Sequence, residues 1–176
     1  MRNGWSWVLL LAGQVVLAAA AEPAKGPPGT ATAVSLANTA LRGMISNLES
    51  GGAGLRGTPE ALACARRIPV SKLSPLFLDA INKEFDESER RQLDAFSSSS
   101  AAAKARRLSE IEADRDRGPA MTGETPRLTT DEARQLSEFD DSALSRRLFT
   151  LSRSSPALRT QVNLRLTELV LACGFH

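Results

Sequence analysis

The sequence predicts an all-α protein, a single helical domain of about five to seven amphipathic helices. Three observations carry this expectation. No segment alternates apolar and polar residues for long enough to argue a strand. Apolar residues instead recur at three- and four-residue spacing, the period that gathers them on one helix face. Ser/Thr-Pro pairs stand where such runs begin, at Thr58-Pro59, Ser74-Pro75 and Ser155-Pro156. A hydroxyl there caps the open N–H groups of a first turn, and proline is tolerated at the first helical position because its missing N–H would have no partner anyway.

The 176-residue chain opens on a leader. Arg2 precedes an apolar run, Val8 to Leu17 (VLLLAGQVVL), and small residues from Ala18 to Ala21. That is the order of a secretory signal peptide, with cleavage expected after Ala21 and Ala20 as the alternative. The apolar run is too short to cross a bilayer, which needs about 20 residues. The mature protein is therefore expected to be secreted or periplasmic, with no stable membrane span. Residues 22–29 (EPAKGPPG) form a Pro/Gly-rich tether, and the helical domain occupies 30–176.

Within it, Val34, Leu36, Leu41, Met44, Ile45 and Leu48 mark a first helix that stops before Gly51-Gly52. Thr58-Pro59-Glu60 starts a short helix that carries Cys64 and ends at Ile68-Pro69. Ser74-Pro75 starts the next, whose apolar set is Leu76, Phe77, Ala80, Ile81 and Phe85. At the C-terminal end, Ser155-Pro156 opens a helix with Leu158, Val162, Leu166, Leu169, Val170 and Cys173 on one face, stopping at Gly174.

Between these lies a repeat. Shifted by 43 positions, DESERRQLDAFSSSSAAAKARRLS overlays TTDEARQLSEFDDSALSRRLFTLS, so units 86–109 and 129–152 are expected to be an internal duplication. Glu89 matches Glu132, Leu93 matches Leu136, Phe96 matches Phe139, Ser99 matches Ser142 and Leu108 matches Leu151. Asp86-x-x-Glu89 and Thr129-x-x-Glu132 are both capping-box spacings, and each Leu–Phe pair lies three apart, a core-facing stripe. Duplicated helical units usually pack together to cover their apolar faces.

The run Phe139-x-x-Ser142-Ala143-Leu144-x-Arg146-Arg147-Leu148 resembles a family of small bacterial periplasmic proteins classed as a domain of unknown function. In that family an acidic helix cap leads to Phe-Tyr-x-Ser-Pro-x-Gly. Phe139 and Ser142 match; Asp140 replaces the Tyr, Ala143 the Pro and Ser145 the Gly. Phe96 and Ser99 match in the first unit, and the likeness covers roughly residues 70–172. It implies an exported, all-helical protein and no known reaction.

Charge excludes one class of partner. Losing Arg2 with the leader takes 22 basic residues to 21 against 20 acidic ones, and so even a balance argues against nucleic acid. The pairs Arg66-Arg67, Arg106-Arg107 and Arg146-Arg147 read as solvated helix faces. Two cysteines, Cys64 and Cys173, are an even count in an exported chain and are expected to form a disulfide. The alternatives are two buried thiols or a nucleophile, but the only histidine available as a base is His176, the last residue.

An acidic cluster beside a serine, Glu138, Asp140 and Asp141, is the candidate for chemistry. Adjacent aspartates on a helix point about 100° apart and address one cation poorly. The first unit has Ala95, Ser97 and Ser98 in those places, so the repeat keeps its apolar pair and discards the acids. No phosphate loop, zinc motif, nucleotide fingerprint or Gly-x-Ser-x-Gly occurs, and no cofactor is expected. Two function classes follow. The favoured one is a non-catalytic envelope module that binds a protein, a peptide or an apolar ligand. The other is a carboxylate-dependent enzyme or cation-binding protein that uses Glu138, Asp140 and Asp141.

Overall fold

A computed structural model describes residues 26–51, 57–115 and 125–176. The leader expected at 1–21 and the first part of the tether lie outside them. The described residues are all-helical: α1 (Thr30–Glu49), α2 (Pro59–Ala65), a 3₁₀ turn (Val70–Lys72), α3 (Ser74–Glu84), α4 (Glu87–Ser97), α5 (Ser100–Arg115), α6 (Thr130–Asp140), α7 (Ala143–Ser154) and α8 (Pro156–Ala172). The all-α expectation holds. The eight α-helices among the described residues exceed the expected five to seven because segments 86–109 and 129–152 each divide at a serine. Ser99 accepts from the Ala102 N–H and starts α5; Ser142 accepts from the Ser145 N–H and starts α7. The break at Ser142 thus needs neither the proline nor the glycine of the resembled motif; a hydroxyl cap suffices.

α1 and α3 run antiparallel through the centre. The stripe of α1 is Ala33, Ala37 and Leu41, so small side chains let α3 approach closely and seat Phe77, Ile81 and Phe85. Leu93 of α4 and Leu158 and Val162 of α8 complete this core, and Leu73, Ile81 and Leu93 are fully buried. Each such side chain contributes roughly 1.5–3 kcal/mol by leaving water. The sequence reading found the larger residues of α1 but missed Ala33 and Ala37, whose value lies in being small.

α1 starts at Gly29, whose φ of +98° suits glycine alone and whose Cβ, if it had one, would lie 3.1 Å from Ile81 Cγ2. Thr58 caps α2 as expected, and Asp86 and Thr129 form the two expected capping boxes. Ser74 corrects its expectation. It is the first residue of α3 rather than its side-chain cap, because the 3₁₀ turn already places Leu73 in helical space and bonds its N–H to the Val70 carbonyl. α8 ends in a Schellman motif: Gly174, at φ +90°, donates to the Leu171 carbonyl and Phe175 to that of Val170. Phe175 then folds back onto a second, smaller core of Leu48, Ala61, Ala65 and Val170. Cys64 and Cys173 are bonded beside it, their Cα atoms 5.6 Å apart.

Segments 86–109 and 129–152 differ in depth. Leu93 is fully buried, whereas Leu136 and Phe139 are half-buried and α6 contributes no fully buried residue. The expectation that Leu136 and Phe139 both turn into the core is met only in part, because α6 and α7 lie over a centre that α1, α3 and α4 have already filled.

Candidate functional site

The acids singled out in the sequence do not converge. Glu138, Asp140 and Asp141 are all exposed, and Glu138 faces Arg134 of its own helix at 3.8 Å. Among the described residues no group of three His, Cys, Asp or Glu side chains is placed to hold a metal ion. His176 is exposed, and both sulfurs are committed to the bridge.

The carboxylate that matters structurally is Asp94, 7% exposed. One of its oxygens accepts from the Gly29 N–H at 2.7 Å; the other accepts from the N–H and hydroxyl of Thr32, both at 2.9 Å. With its proton so committed, the Thr32 hydroxyl in turn accepts from Ser97 Oγ at 3.1 Å. Asp94 is therefore the N-cap that Gly29 cannot supply, delivered from another helix, and its charge meets the positive end of the α1 dipole. One turn earlier, Arg90 donates to the Asn82 and Phe85 carbonyls at the C-terminal end of α3. α4 thus closes the start of one core helix and the end of the other.

Glu132 is a second node. It receives Lys104 Nζ at 2.7 Å, the Thr129 N–H at 2.8 Å and the Ser100 hydroxyl at 2.8 Å. These donors, Lys104 foremost, hold its carboxyl down at about 2. A group depressed in the folded state stabilises fully above its unfolded value and loses that contribution as pH falls towards the folded one. Urea midpoints of the parent are therefore expected to fall between about pH 4.5 and pH 2 more steeply than those of Glu132→Gln, which keeps the capping-box hydrogen bond but not the charge. Equal slopes would refute the assignment. Arg147 is exposed, as expected of a solvated face, and it also bonds Glu89 and the Glu84 carbonyl and lies 4.7 Å from the Phe85 ring centroid.

Two concavities of binding dimensions are found among the described residues: one of about 490 Å³ beside α7, lined by Glu84, Arg146 and Arg147, and a more apolar groove of about 570 Å³ between α1 and α8. Phe77 of α3 floors it, Met44, Leu48, Val162 and Leu166 make its walls, and Asn47, Arg159 and Asn163 stand on the rim. One wall contains Gly43, in mid-helix, where an added Cβ would meet nothing within 4 Å. No close helix contact demands this glycine, which lies exposed at the groove. The sequence analysis passed over this glycine; its place inside a predicted helix is the signal that could have found it. On the far side of α8, Leu164 and Leu171 are 61% and 49% exposed, a second apolar stripe.

Compared with protein families, with curated proteins and with solved structures, the chain matches none of them.

Proposed function

We propose that the mature chain is an exported, non-catalytic binding module of the cell envelope, holding an elongated apolar ligand with an anionic end in the groove between α1 and α8. The observation that carries this is Gly43. A glycine in a helix interior costs about 0.5–1 kcal/mol relative to alanine, and here it returns nothing in packing. The groove volume lies in the range of small-ligand sites, and the lining is apolar with a few polar groups at its edge. A partner helix, 10–12 Å across with its side chains, is a poorer fit to that space. Arg159, in the first turn of α8, adds a cation where the helix N-terminus is already positive, which favours an anionic end.

Export is supported by the leader, and the Cys64–Cys173 bridge is compatible with it. The resemblance to exported helical proteins and the reading of units 86–109 and 129–152 as a duplication belong to the same proposal. Nothing in the geometry favours the carboxylate enzyme.

The test is native mass spectrometry of protein purified from the cells that make it. The parent is expected to carry a co-purifying small molecule. Gly43→Trp, which fills the groove, is expected to lose that mass while keeping its helical circular dichroism. Gly43→Ala should raise stability by about 0.5–1 kcal/mol. A parent without bound mass, or a Gly43→Trp variant that retains it, would end the proposal.

A further inference from the structure

The cap glutamates of the two units do more than close their own helices. Glu132, in the second unit, takes Lys104 from the first at 2.7 Å; Glu89, in the first, takes Arg147 from the second at 2.5 Å. Glu89 and Glu132 are separated by 43 residues, and so are Lys104 and Arg147. Phe96 and Phe139, separated by 43 again, stack with ring centroids 3.6 Å apart and planes within 6°. The contacts are therefore reciprocal. What one unit offers, the other offers back, and the phenylalanine pair is its own mate.

Similar units packed head to tail would not do this, because each cross-contact would then occur once and Phe96 would meet a different residue of the next copy. Reciprocity is the rule of an isologous interface, the kind found in two-fold dimers. We infer that α4–α5 and α6–α7 form an internal pair about an approximate two-fold axis between Phe96 and Phe139. The paired faces are a self-complementary surface whose partner is a second copy of the same helix–serine–helix unit.

Where the units differ supports this. Asp94 and Ser97 of α4 are turned to α1, while their equivalents Ser137 and Asp140 are exposed. The matched Glu, Phe and Lys/Arg positions meet between the units, while Asp94 and Ser97, which have no match, serve α1. The symmetry is approximate: α5 lies closer to α6 than α7 does to α4. The cation on the wider side is the longer one, arginine.

The test uses the full oxidised chain at neutral pH. Two double-mutant cycles, Glu89→Gln with Arg147→Gln and Glu132→Gln with Lys104→Gln, are read by urea unfolding. Glutamine preserves both capping boxes, so the variants are expected to fold. Each cycle should show a favourable coupling of roughly twofold to fivefold in the unfolding constant. Amide exchange adds a second reading: Phe139→Leu should lower protection in α4 and α5 as well as in α6 and α7, and Phe96→Leu should do the same. Coupling in only one cycle, or protection lost only in the unit that carries the substitution, would overturn the two-fold pair.

Discussion

Asp94→Ala is expected to destabilise the protein by about 3–5 kcal/mol, a large share of the 5–15 kcal/mol that holds a typical domain folded. The reasoning is local. Gly29 and Thr32 are buried, and removing the carboxylate strands two backbone N–H groups and a hydroxyl there with no water to replace it. At the lower end of the roughly 1–3 kcal/mol that each stranded group costs, the three together lose about 3, and the lost charge at the helix start adds up to about 2. Asp94→Asn should fare little better. Both oxygens accept, one from Gly29 and the other from Thr32, whereas an asparagine offers a single acceptor and turns an NH₂ group towards a donor. Urea midpoints measure the loss. Amide exchange should place its first effect in the opening turn of α1, 62 to 65 residues away in sequence. An Asp94→Asn variant as stable as the parent would show that only one oxygen is needed.

Asp94 also shows where reading the sequence fell short. It shares its helix with Glu87, Glu89, Arg90 and Arg91, and apart from the Leu93–Phe96 stripe that helix reads as solvated, so nothing in its spacing sets it apart. Its role depends on a partner brought close only by the fold. The trace it left is indirect: α1 has a strong apolar pattern but opens on a glycine with no side chain to cap it. By contrast, the helix class, the capping boxes and the pairing of Cys64 with Cys173 were legible, because each rests on local spacing or on an even count. The match between 86–109 and 129–152 was legible, but the contacts of Glu89 with Arg147 and of Glu132 with Lys104 were not. Lys104 and Arg147 carry no mark in the sequence beyond a shared charge. The groove was half legible, since Gly43 interrupts a helical pattern but its empty surroundings appear only when α8 is placed beside it.

Replacing Cys64 and Cys173 together by serine is the second large expectation, a loss of about 2–5 kcal/mol. The bridge closes a span of 109 residues, and loop-closure entropy alone puts the contribution of so long a ring near 4.7 kcal/mol as an upper figure. Position gives it a local effect as well. α2 has seven residues, too few for a helix to persist by itself, and its packing is confined to the small core under Phe175. That core is held from two sides: the bridge ties α2 to the end of α8, and the Schellman turn at Gly174 presents Phe175 to it. Without the bridge, α2 is expected to lose amide protection at urea concentrations where α1 and α3 are still folded, so the loss should come in two stages. The parent should unfold in one. If the double-serine variant keeps the parent's midpoint, the bridge adds nothing to the fold. If it loses stability in a single step, α2 belongs to the same cooperative unit as the central helices, and Phe175 rather than the sulfurs is what joins them.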